Sequence, residues 1–567
     1  MAIRQARELR RLNDPSVADG VTIHLLPGTY NLYEPLRLRA EDSGTPSQPT
    51  VIRSEGGEAI VSGGVTIGGW KRQGKLLVAE VPDFNGYPLD FRQLYVGGEK
   101  AIRARDVADF DNMARIRSID KQRHILYVPA TKAMRQLARE GVGHAEMTLH
   151  EMWCISNLRI KSVAIQGDSA AVTFHEPEST IQFEHPWPSP MVNMKPVTMP
   201  DGREHDRNSP FFLTNHLCLL DSPGEWYHDI RTHRLYYMPR SQAESQQLLS
   251  GKTTAIVPAL ETLMTIDGTP DYRPHDIRIE GVTFAYSTWM RPSLSGHVPL
   301  QAGMYLLEAY RLNPKQERTD NNHKLDNQGW VGRPGAAVSI NHADDVCFSK
   351  CTFTHLASTG LDYCEGTHGG SVSHNTFTDI GGSAVLAGSF SPEAFEQHLP
   401  YNPADRRVVC RGLEIADNDI HNVAAEDWGC VGIGCGWVAE TRILRNEIHE
   451  VSYTGISLGW GWNQTVNCMH NNEVKDNNIY NYASHMYDVA GIYTLGAQPK
   501  TVISGNSVKD IYHPSYVHDP NHWFYLYCDE GSSFITVRDN YTPAEKYLRN
   551  ANGPCNVWEN NGPGVKK

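Results

Sequence analysis

The second half of the chain repeats a short pattern in which apolar and polar residues alternate after an asparagine. The copies are NTFTDI from Asn375, NDIHNV from Asn418, NEIHEV from Asn446, NNIYNY from Asn477 and NSVKDI from Asn506. Alternation with a period of 2 predicts strands that bury one face. With looser copies at Cys351 and Asn540, the successive spacings are 24, 43, 28, 31, 29 and 34 residues. Such spacings are too irregular for helical repeats and are typical of β-helix coils with loops of variable length.

The repeated asparagine predicts a column of stacked side chains. In a β-helix each strand pairs with the same strand of the next coil, roughly 4.8 Å away, so that equivalent residues lie above one another. An asparagine amide can hydrogen-bond to the asparagines above and below, and asparagine tolerates the left-handed conformation that a corner needs. We therefore predict that Asn418, Asn446, Asn477 and Asn506 form one column.

A second family of apolar segments follows the asparagine strands, one in most coils. Its members are TGLDYCEG from Thr359, VGIGCG from Val431, TGISLG from Thr454, AGIYTLG from Ala490 and FYLYCDEG from Phe524. Their glycines allow tight corners, and their outward side chains would be displayed as a flat array. These segments predict one continuous parallel sheet, which is the face that we expect to bind a polymer.

The N-terminal part departs from this pattern in two places. A helix over residues 2–13 is predicted to cap the open end of the solenoid. Between 68 and 255 the asparagine repeat is absent, and hairpin-like strands such as GEWYHDIRTHRLYYMP appear instead. The predicted fold is an all-β, right-handed parallel β-helix with a short N-terminal capping helix. Its domains would be a cap with the first coils (1–67), an inserted β-sandwich (68–255) and the main β-helix (256–567).

Size and charge narrow the class of partner. The 567 residues exceed the roughly 300 at which a single core stops growing, which favours an elongated repeat. The net charge of −13 argues against nucleic acid and against anionic membranes as partners. The sequence also lacks an apolar run of about 18 residues. A largely neutral oligosaccharide or polysaccharide is the expected partner, and the oligomeric state stays open.

The cysteines and the first residues bear on metal sites and localisation. Eleven cysteines occur without a CxxC pair, so that neither a metal site nor a disulfide framework is expected, and we predict free thiols and no cofactor. The first residues lack the apolar core of a signal peptide. The chain as written is therefore expected in the cytoplasm, and an upstream leader would make it periplasmic or secreted.

Two aspartates on consecutive coils are candidates for acid–base chemistry. Cleavage of a glycosidic bond generally needs one protonated carboxyl group and one ionised carboxylate. Asp488 lies in YDVAGIYTLG, and Asp529 lies in YCDEGSS of the next coil. Because Asp529 aligns with Leu495, the two acids can meet only if the chain turns a corner near Val489 to Gly491. Either aspartate could instead cap a turn, which is a common role for this residue.

The sequence resembles the β-helical glycosidases of glycoside hydrolase family 141 over nearly its whole length. The resemblance rests on LPGTYNLYEPLRL, EDSGTPSQP, QLYVGGEKAIRAR, DSPGEWYHD, LYYMP, YDVAGIYTLG and CDEGSS, in that order. It implies a hydrolase of the fucosidase or xylanase type that acts on complex plant-type glycans. Asp488 and Asp529 match the acidic motif of the family, and the resemblance implies that they are the catalytic pair.

Aromatic and polar residues around these acids are candidates for substrate binding. Flat rings can pack on sugar faces, and polar tips can bind hydroxyl groups. The predicted substrate-binding residues are Trp460, Trp462, His485, Tyr493, His522, Trp523, Tyr527, Glu530 and Asp427. Any one ring could instead be an interior ladder residue, and a histidine could merely be packed. We expect Glu530 to point to the opposite face of its strand from Asp529.

Two other functions stay open at this stage. A polysaccharide lyase or uronate epimerase would need cations or Ca²⁺ to neutralise a uronate. However, no Lys or Arg occurs between Arg445 and Lys475, between Lys475 and Lys500, or between Lys509 and Arg538. A non-catalytic carbohydrate-binding β-helix would use the same aromatic residues without turnover. Loss of hydrolysis on replacing the two aspartates would separate an enzyme from a binding module.

Overall fold

The computed structural model describes residues 2–198, 204–309, 331–390 and 400–566. Its main body is a parallel β-helix built from three long sheets. In the described part of the chain, sheet 1 contains Val21–Leu25, Thr50–Ser54, His275–Glu280, Asp344–Ser349, Ser371–Ser373, Glu414–Ala416, Arg442–Leu444, Glu473–Lys475, Ala497–Ser504, Ser533–Arg538 and Val557–Glu559. The predicted fold class is confirmed.

Sheets 2 and 3 complete each coil. The described strands of sheet 2 are Gly28–Asn31, Ala59–Ser62, Val282–Ser287, Thr352–Leu356, Thr376–Ile380, Asp419–Val423, Glu447–Val451, Asn478–Tyr482 and Ser507–Val508. Those of sheet 3 are Leu36–Leu38, Met264–Asp267, Ala336–Asn341, Thr359–Tyr363, Val385–Ala387, Ile433–Cys435, Ile456–Leu458, Val489–Thr494, Trp523–Cys528 and Tyr547–Arg549. One apolar core runs along the space between the three sheets.

The predicted asparagine column is present at the corner between sheets 1 and 2. Asn418 Nδ2 donates to Asn446 Oδ1 at 2.9 Å, Asn446 to Asn477 at 2.9 Å, and Asn477 to Asn506 at 2.9 Å. The ladder extends to Asn375 before them and to Asn540 and Asn561 after them. Each amide also donates to a backbone carbonyl, as Asn446 does to Ile415 O at 2.9 Å. Buried amides are thereby satisfied from coil to coil.

The conformational reason that we gave for asparagine at this corner is wrong. The left-handed residue is the one immediately before each asparagine, for example Asp417 at φ 58°, Arg445 at 51° and Asp476 at 58°. The asparagine is selected for its hydrogen bonds, because only a side chain with both a donor and an acceptor can continue the ladder.

The N-terminal helix covers the first coil as predicted, and it ends two residues earlier, at Arg11. Arg7 binds the buried Asp42 through Nε at 3.0 Å and Nη2 at 2.6 Å. Arg10 Nη1 donates to Asp42 O at 2.8 Å. The described α-helices are Ala2–Arg11, Lys132–Glu140, Glu178–Glu184, Gln242–Leu249 and Arg291–Ser295. Within the described residues none of them is long and apolar enough to cross a membrane.

Three mainly antiparallel sheets form most of the insert, beside two short two-stranded sheets, Asp83–Phe84 with Tyr87–Pro88 and Val197–Thr198 with Glu204–His205. In its described part, one contains Ala114–Arg115, Ser118–Asp120, Ile125–Pro129, Glu146–His150, Ile155–Gln166, Ser169–Phe174 and Pro210–Thr214. A second contains Lys71–Gln73, Leu76–Glu80, Ile102–Arg103, Glu225–Asp229 and Arg234–Tyr237, and a third Gly64–Ile67, Tyr95–Val96, Glu99–Lys100 and Ala255–Pro258. Because the outer strands begin at Gly64 and end at Pro258, we propose 64–258 rather than 68–255 as the insert. The division of the remainder into 1–67 and 256–567 stays a prediction.

Candidate active site

Asp488 and Asp529 lie at opposite ends of two neighbouring strands of sheet 3. Asp488 directly precedes Val489–Thr494, and Asp529 directly follows Trp523–Cys528. The pairing ends at Thr494 and Cys528, so that Leu495 and Asp529 are the next residues on the two chains, which agrees with the register expected from the sequence. Strand alternation breaks at Gly491, since Ala490 and Tyr493 both belong to one outward apolar cluster although they are three residues apart. This break lies where the corner was predicted, although the strand continues through it.

Both carboxyl groups line the same pocket, which we call the acidic pocket. Its volume is about 130 Å³. The β-helix contributes Tyr453, Trp462, Asp488, Tyr493, Tyr527, Asp529, Glu530 and Asn550. The rest of the lining consists of Trp153 and Trp187 from the insert, with Leu300 and Gln301 from the short strand Pro299–Gln301 that follows it. The insert therefore encloses a site whose two acids belong to the solenoid.

Asp529 is held in an environment that favours its protonated form. Tyr493 Oη donates to its Oδ2 at 2.6 Å, and Asn550 Nδ2 donates to its Oδ1 at 2.8 Å. These hydrogen bonds favour the carboxylate, but burial and the negative charge of Asp488 outweigh them and raise the pKa of Asp529 to about 7. A carboxyl group with this pKa can carry a proton near neutral pH.

Asp488 lies beside an imidazole. Its backbone has φ 53°, and its N–H donates to His522 O at 2.7 Å. His522 Nε2 lies 3.1 Å from Asp488 Oδ1, and this contact raises the pKa of His522. His522 is thus an imidazole in direct contact with Asp488, whereas the side-chain groups that contact Asp529 are the Tyr493 hydroxyl and the Asn550 amide. The two carboxyl groups are thus placed in different electrostatic environments.

Three tyrosines surround the acids as neutral hydrogen-bond donors. Burial and the nearby aspartates raise the pKa of Tyr453, Tyr493 and Tyr527. Tyr453 Oη donates to Asp488 O at 2.9 Å. Among the described residues that line the acidic pocket, none is a lysine or an arginine. The pocket therefore offers acids, phenols and indoles to a ligand.

Four of the predicted binding residues line the acidic pocket: Trp462, Tyr493, Tyr527 and Glu530. Our expectation that Glu530 faces away from Asp529 is wrong. The strand ends at Cys528, and the chain turns at once, with Ser532 N–H donating to Asp529 O at 3.0 Å. Alternation applies only within a strand. The predicted His522 is half-exposed and reaches the site through Asp488.

Trp460 and Trp523 lie outside the acidic pocket, in contrast to our prediction. Trp460 is 2% exposed and packs edge-on against Phe390, at 4.9 Å between ring centroids. Trp523 packs on the solenoid core, and Lys546 Nζ lies 3.7 Å from its ring centroid. Trp460 is buried among protein groups and cannot stack on a sugar, whereas Trp523 is partly buried and its ring carries the Lys546 ammonium.

His485 and Asp427 also lie away from the acidic pocket. The His485 ring stacks on Trp428 with 4.2 Å between centroids, and burial lowers its pKa to about 3. Asp427 is 3% exposed, and its Oδ2 lies 3.1 Å from His297 Nε2. These residues join the insert and its following loop to the solenoid, and we no longer propose them as contacts of the acidic pocket.

Several pocket residues were missed by the sequence analysis: Tyr453, Asn550, Trp153, Trp187, Leu300 and Gln301. Tyr453 directly precedes TGISLG, in the coil before that of Asp488. The alignment of these two coils could have identified it as a residue near the site. Trp153 and Trp187 belong to the insert, whose docking onto the solenoid has no periodic signal in the sequence.

Comparison with known proteins agrees with this architecture. Residues 74–240 match a sequence profile described as the GH141 insertion domain. A solved structure named "Glycoside hydrolase" is 58% identical, covers 100% of this chain and 93% of its own, and superposes with a TM-score of 0.94. XylC in complex with xylose is 11% identical over 94% of this chain and 65% of its own, with a TM-score of 0.44. The Streptococcus pneumoniae surface adhesin PfbA is 12% identical over 53% and 79%, with a TM-score of 0.31. No curated protein sequence matches.

The matched insert and the full-length relative together cover every part of the architecture described above. The protein is therefore a glycoside hydrolase and belongs to the GH141 family.

Proposed function

We propose that the protein hydrolyses a glycosidic bond in a complex plant-type glycan, as an α-L-fucosidase or a xylanase-like enzyme, with Asp488 and Asp529 as its catalytic pair. The observation that carries this proposal is the raised pKa of Asp529, about 7, in a pocket that it shares with Asp488. Two carboxyl groups whose environments differ in this way can divide the roles of acid and base.

In this proposal Asp529 is the general acid, which donates its proton to the departing glycosidic oxygen. Asp488 is the ionised partner, and it acts as a base toward water or as a nucleophile. His522 is a positioning residue that contacts the Asp488 carboxyl group. The tyrosine hydroxyls bind sugar hydroxyls, and Trp153, Trp187 and Trp462 pack on sugar faces.

The lyase or epimerase alternative receives no support from the acidic pocket. Those reactions need a cationic group or a metal to neutralise a uronate carboxylate at the reacting carbon. The described lining of the pocket holds neither lysine nor arginine, and Asp488, Asp529 and Glu530 would repel such a substrate. A neutral sugar at the cleaved bond fits this set of side chains.

The test is a screen of the full-length protein against aryl glycosides and plant cell-wall glycans, including α-L-fucosides and xylans. Wild type should release sugar from at least one of these classes, and Asp529→Asn and Asp488→Asn should not. Full turnover by both variants would contradict the proposed roles. Turnover restricted to another class of glycan would keep the catalytic pair and contradict the substrate class.

A further inference from the structure

A second cavity lies between the insert and the solenoid. Its volume is about 360 Å³. The insert contributes Arg92, Gln93, Arg105 and Asn157 to its lining, and the solenoid contributes Glu426 and Trp428. It shares no lining residue with the acidic pocket among the described residues. The cavity is therefore a separate site.

Most of the charges around the second cavity neutralise one another within the protein. Arg92 and Arg103 both bind Glu146, with shortest N···O distances of 2.7 Å each. Lys100 Nζ lies 2.7 Å from Glu426 and 3.4 Å from Asp379. These groups form the frame of the cavity, and their charges are already compensated.

Arg105 is the exception. Its guanidinium lies over the Phe110 ring, 4.6 Å from the centroid. In the described part of the chain no carboxylate forms an ion pair with its guanidinium. Glu225 Oε1 accepts from the Arg105 backbone N–H at 3.4 Å, and the charges of Glu225 and Glu426 attract the guanidinium. Arg105 thus offers a planar set of donors and one positive charge to the cavity.

Two buried amides add hydrogen-bond donors. Gln93 is 1% exposed and Asn157 is 5% exposed. Their carbonyl oxygens accept from Thr288 at 3.3 Å and from Thr148 at 2.9 Å. Gln93 Nε2 and Asn157 Nδ2 have no hydrogen-bond partner among the described residues, although both side chains line the cavity. Buried donors of this kind are normally satisfied, and a ligand with acceptor oxygens would satisfy them.

The ligand that these groups fit is an acidic sugar. A carboxylate matches the planar guanidinium of Arg105. Sugar hydroxyls and the ring oxygen can accept from the two amides, and the C–H groups of the sugar can contact the apolar wall to which Phe110, Phe212 and Trp428 contribute. A small inorganic anion would leave most of the 360 Å³ and this apolar wall unused.

Along the solenoid axis the second cavity lies about two coils from the acidic pocket. Trp428 precedes the strand Ile433–Cys435, and Asp488 precedes Val489–Thr494, two coils further along sheet 3. Two coil steps correspond to roughly 10 Å along the solenoid axis. We infer that the second cavity binds a uronic acid unit of the same glycan whose neutral sugar is cleaved at the acidic pocket. This inference rests on the proposed function.

The test measures binding of D-glucuronate and D-galacturonate to the full-length protein, by titration followed by NMR, against D-glucose and D-galactose. We expect the uronates to bind at least about 10-fold more tightly than the neutral sugars, because the charge-assisted contact with Arg105 is lost in the latter. Equal affinities in wild type would overturn the inference. Acetate or sulfate that binds as tightly as the uronates would also overturn it, since the site would then recognise a simple anion.

Three variants test whether the second cavity is the site that prefers uronates over neutral sugars. Arg105→Met should abolish it, and Arg105→Lys, which retains the charge, should keep part of it. Arg117→Met, which removes a half-exposed arginine elsewhere on the insert, should bind like wild type. If Arg105→Met folds, as judged by its melting temperature, and keeps the preference, the inference fails. If Arg105→Met does not fold, Arg105→Lys decides the question. A preference for uronates as strong as in wild type would then contradict a contact with the planar guanidinium.

The same titration separates this inference from the proposed function. Asp488→Asn and Asp529→Asn should still prefer uronates, because neither residue lines the second cavity. If uronates do not bind but hydrolysis still depends on the two aspartates, only the inference about the second cavity is overturned. Uronate binding together with full turnover in both aspartate variants would overturn the proposed function, and with it the link between the sites.

Discussion

The hydroxyl of Tyr493 donates a 2.6 Å hydrogen bond to Oδ2 of Asp529, from the neighbouring strand of sheet 3. This bond favours the ionised carboxylate, against the burial that raises the pKa of Asp529 to about 7. Tyr493 therefore sets how far the proton affinity of Asp529 rises. The pH dependence of the enzyme should report this relationship directly.

The first prediction concerns the alkaline side of the pH profile. If Asp529 must be protonated, kcat/KM should fall as the pH rises above about 7. Tyr493→Phe removes a bond to the ionised form, so that the pKa of Asp529 rises further and this fall moves up by about 1 pH unit. Tyr525→Phe, on the same sheet but packed in the core, is the control and should leave the profile in place. An alkaline limb that does not move in Tyr493→Phe would contradict the assignment of the acid.

The second prediction concerns turnover by the aspartate variants. Asp488→Asn and Asp529→Asn should each lose roughly 10² to 10⁴-fold in kcat, because an amide can neither donate the proton nor act as a base. Asp539→Asn, an exposed carboxylate in the next corner, should keep wild-type activity. The measurement is initial rates on the best glycan or aryl glycoside. Variants with near-normal rates and normal melting temperatures would rule out the pair.

The third prediction concerns stability. Asp529 has a pKa of about 7 in the folded protein and roughly 3.9 when unfolded, so folding loses free energy as the pH rises between these values. Asp529→Asn is neutral throughout and avoids this loss. Relative to wild type, the variant should gain free energy of unfolding as the pH rises from about 4 to 7, by at most a few kcal/mol, and its melting temperature should rise with it. A difference that does not change with pH would show that Asp529 titrates normally.

The fourth prediction concerns the asparagine ladder. Asn446→Ala removes the donor to Asn477 Oδ1 and leaves the amide of Asn418 without its acceptor. We expect a cost of about 2–4 kcal/mol in the free energy of unfolding, since buried polar groups lose their partners. Asn561→Ala, at the partly exposed end of the ladder, should cost about 1 kcal/mol. Chemical denaturation compares the two, and equal costs would mean that burial of the column adds nothing.

The fifth prediction concerns stereochemistry. The two aspartates enter the acidic pocket from opposite ends of neighbouring strands, which favours a wide separation with room for a water molecule. We expect inversion, which requires about 6.5–9.5 Å between the carboxyl groups, rather than retention at about 5–5.5 Å. Proton NMR of the first product formed distinguishes the two. A product that retains its anomeric configuration would make Asp488 a nucleophile.

The sequence predicted the repeating part of the fold well, because its signals are local and repeated. The alternation after each asparagine determined the strand faces, and the register of Asn418, Asn446, Asn477 and Asn506 followed from it. The position of the left-handed corner residue was not predicted. The residue before each asparagine varies between aspartate, arginine, histidine, glycine and asparagine, and the backbone coordinates identify it as left-handed.

For the site, the sequence identified the two aspartates and the need for a corner, but it could not identify which rings face the pocket. Trp460 and Trp462 are two residues apart in LGWGW, yet one is buried and the other lines the pocket. Trp153 and Trp187 come from the insert, more than 300 residues before Asp488. Their position near Asp488 depends on how the surface of the insert packs against the solenoid. This packing leaves no periodic pattern in the sequence.

What the sequence determined by itself is therefore the solenoid, its stacked asparagines and the placement of Asp488 and Asp529 on consecutive coils, because local pattern and register are sufficient for each. The tertiary structure decided how the insert closes the acidic pocket, which aromatic residues line it, and that burial beside Asp488 raises the pKa of Asp529 to about 7. It also decided the second cavity around Arg105. These properties arise where distant segments exclude water from shared polar groups, and desolvation is set by the three-dimensional neighbourhood rather than by neighbours along the chain.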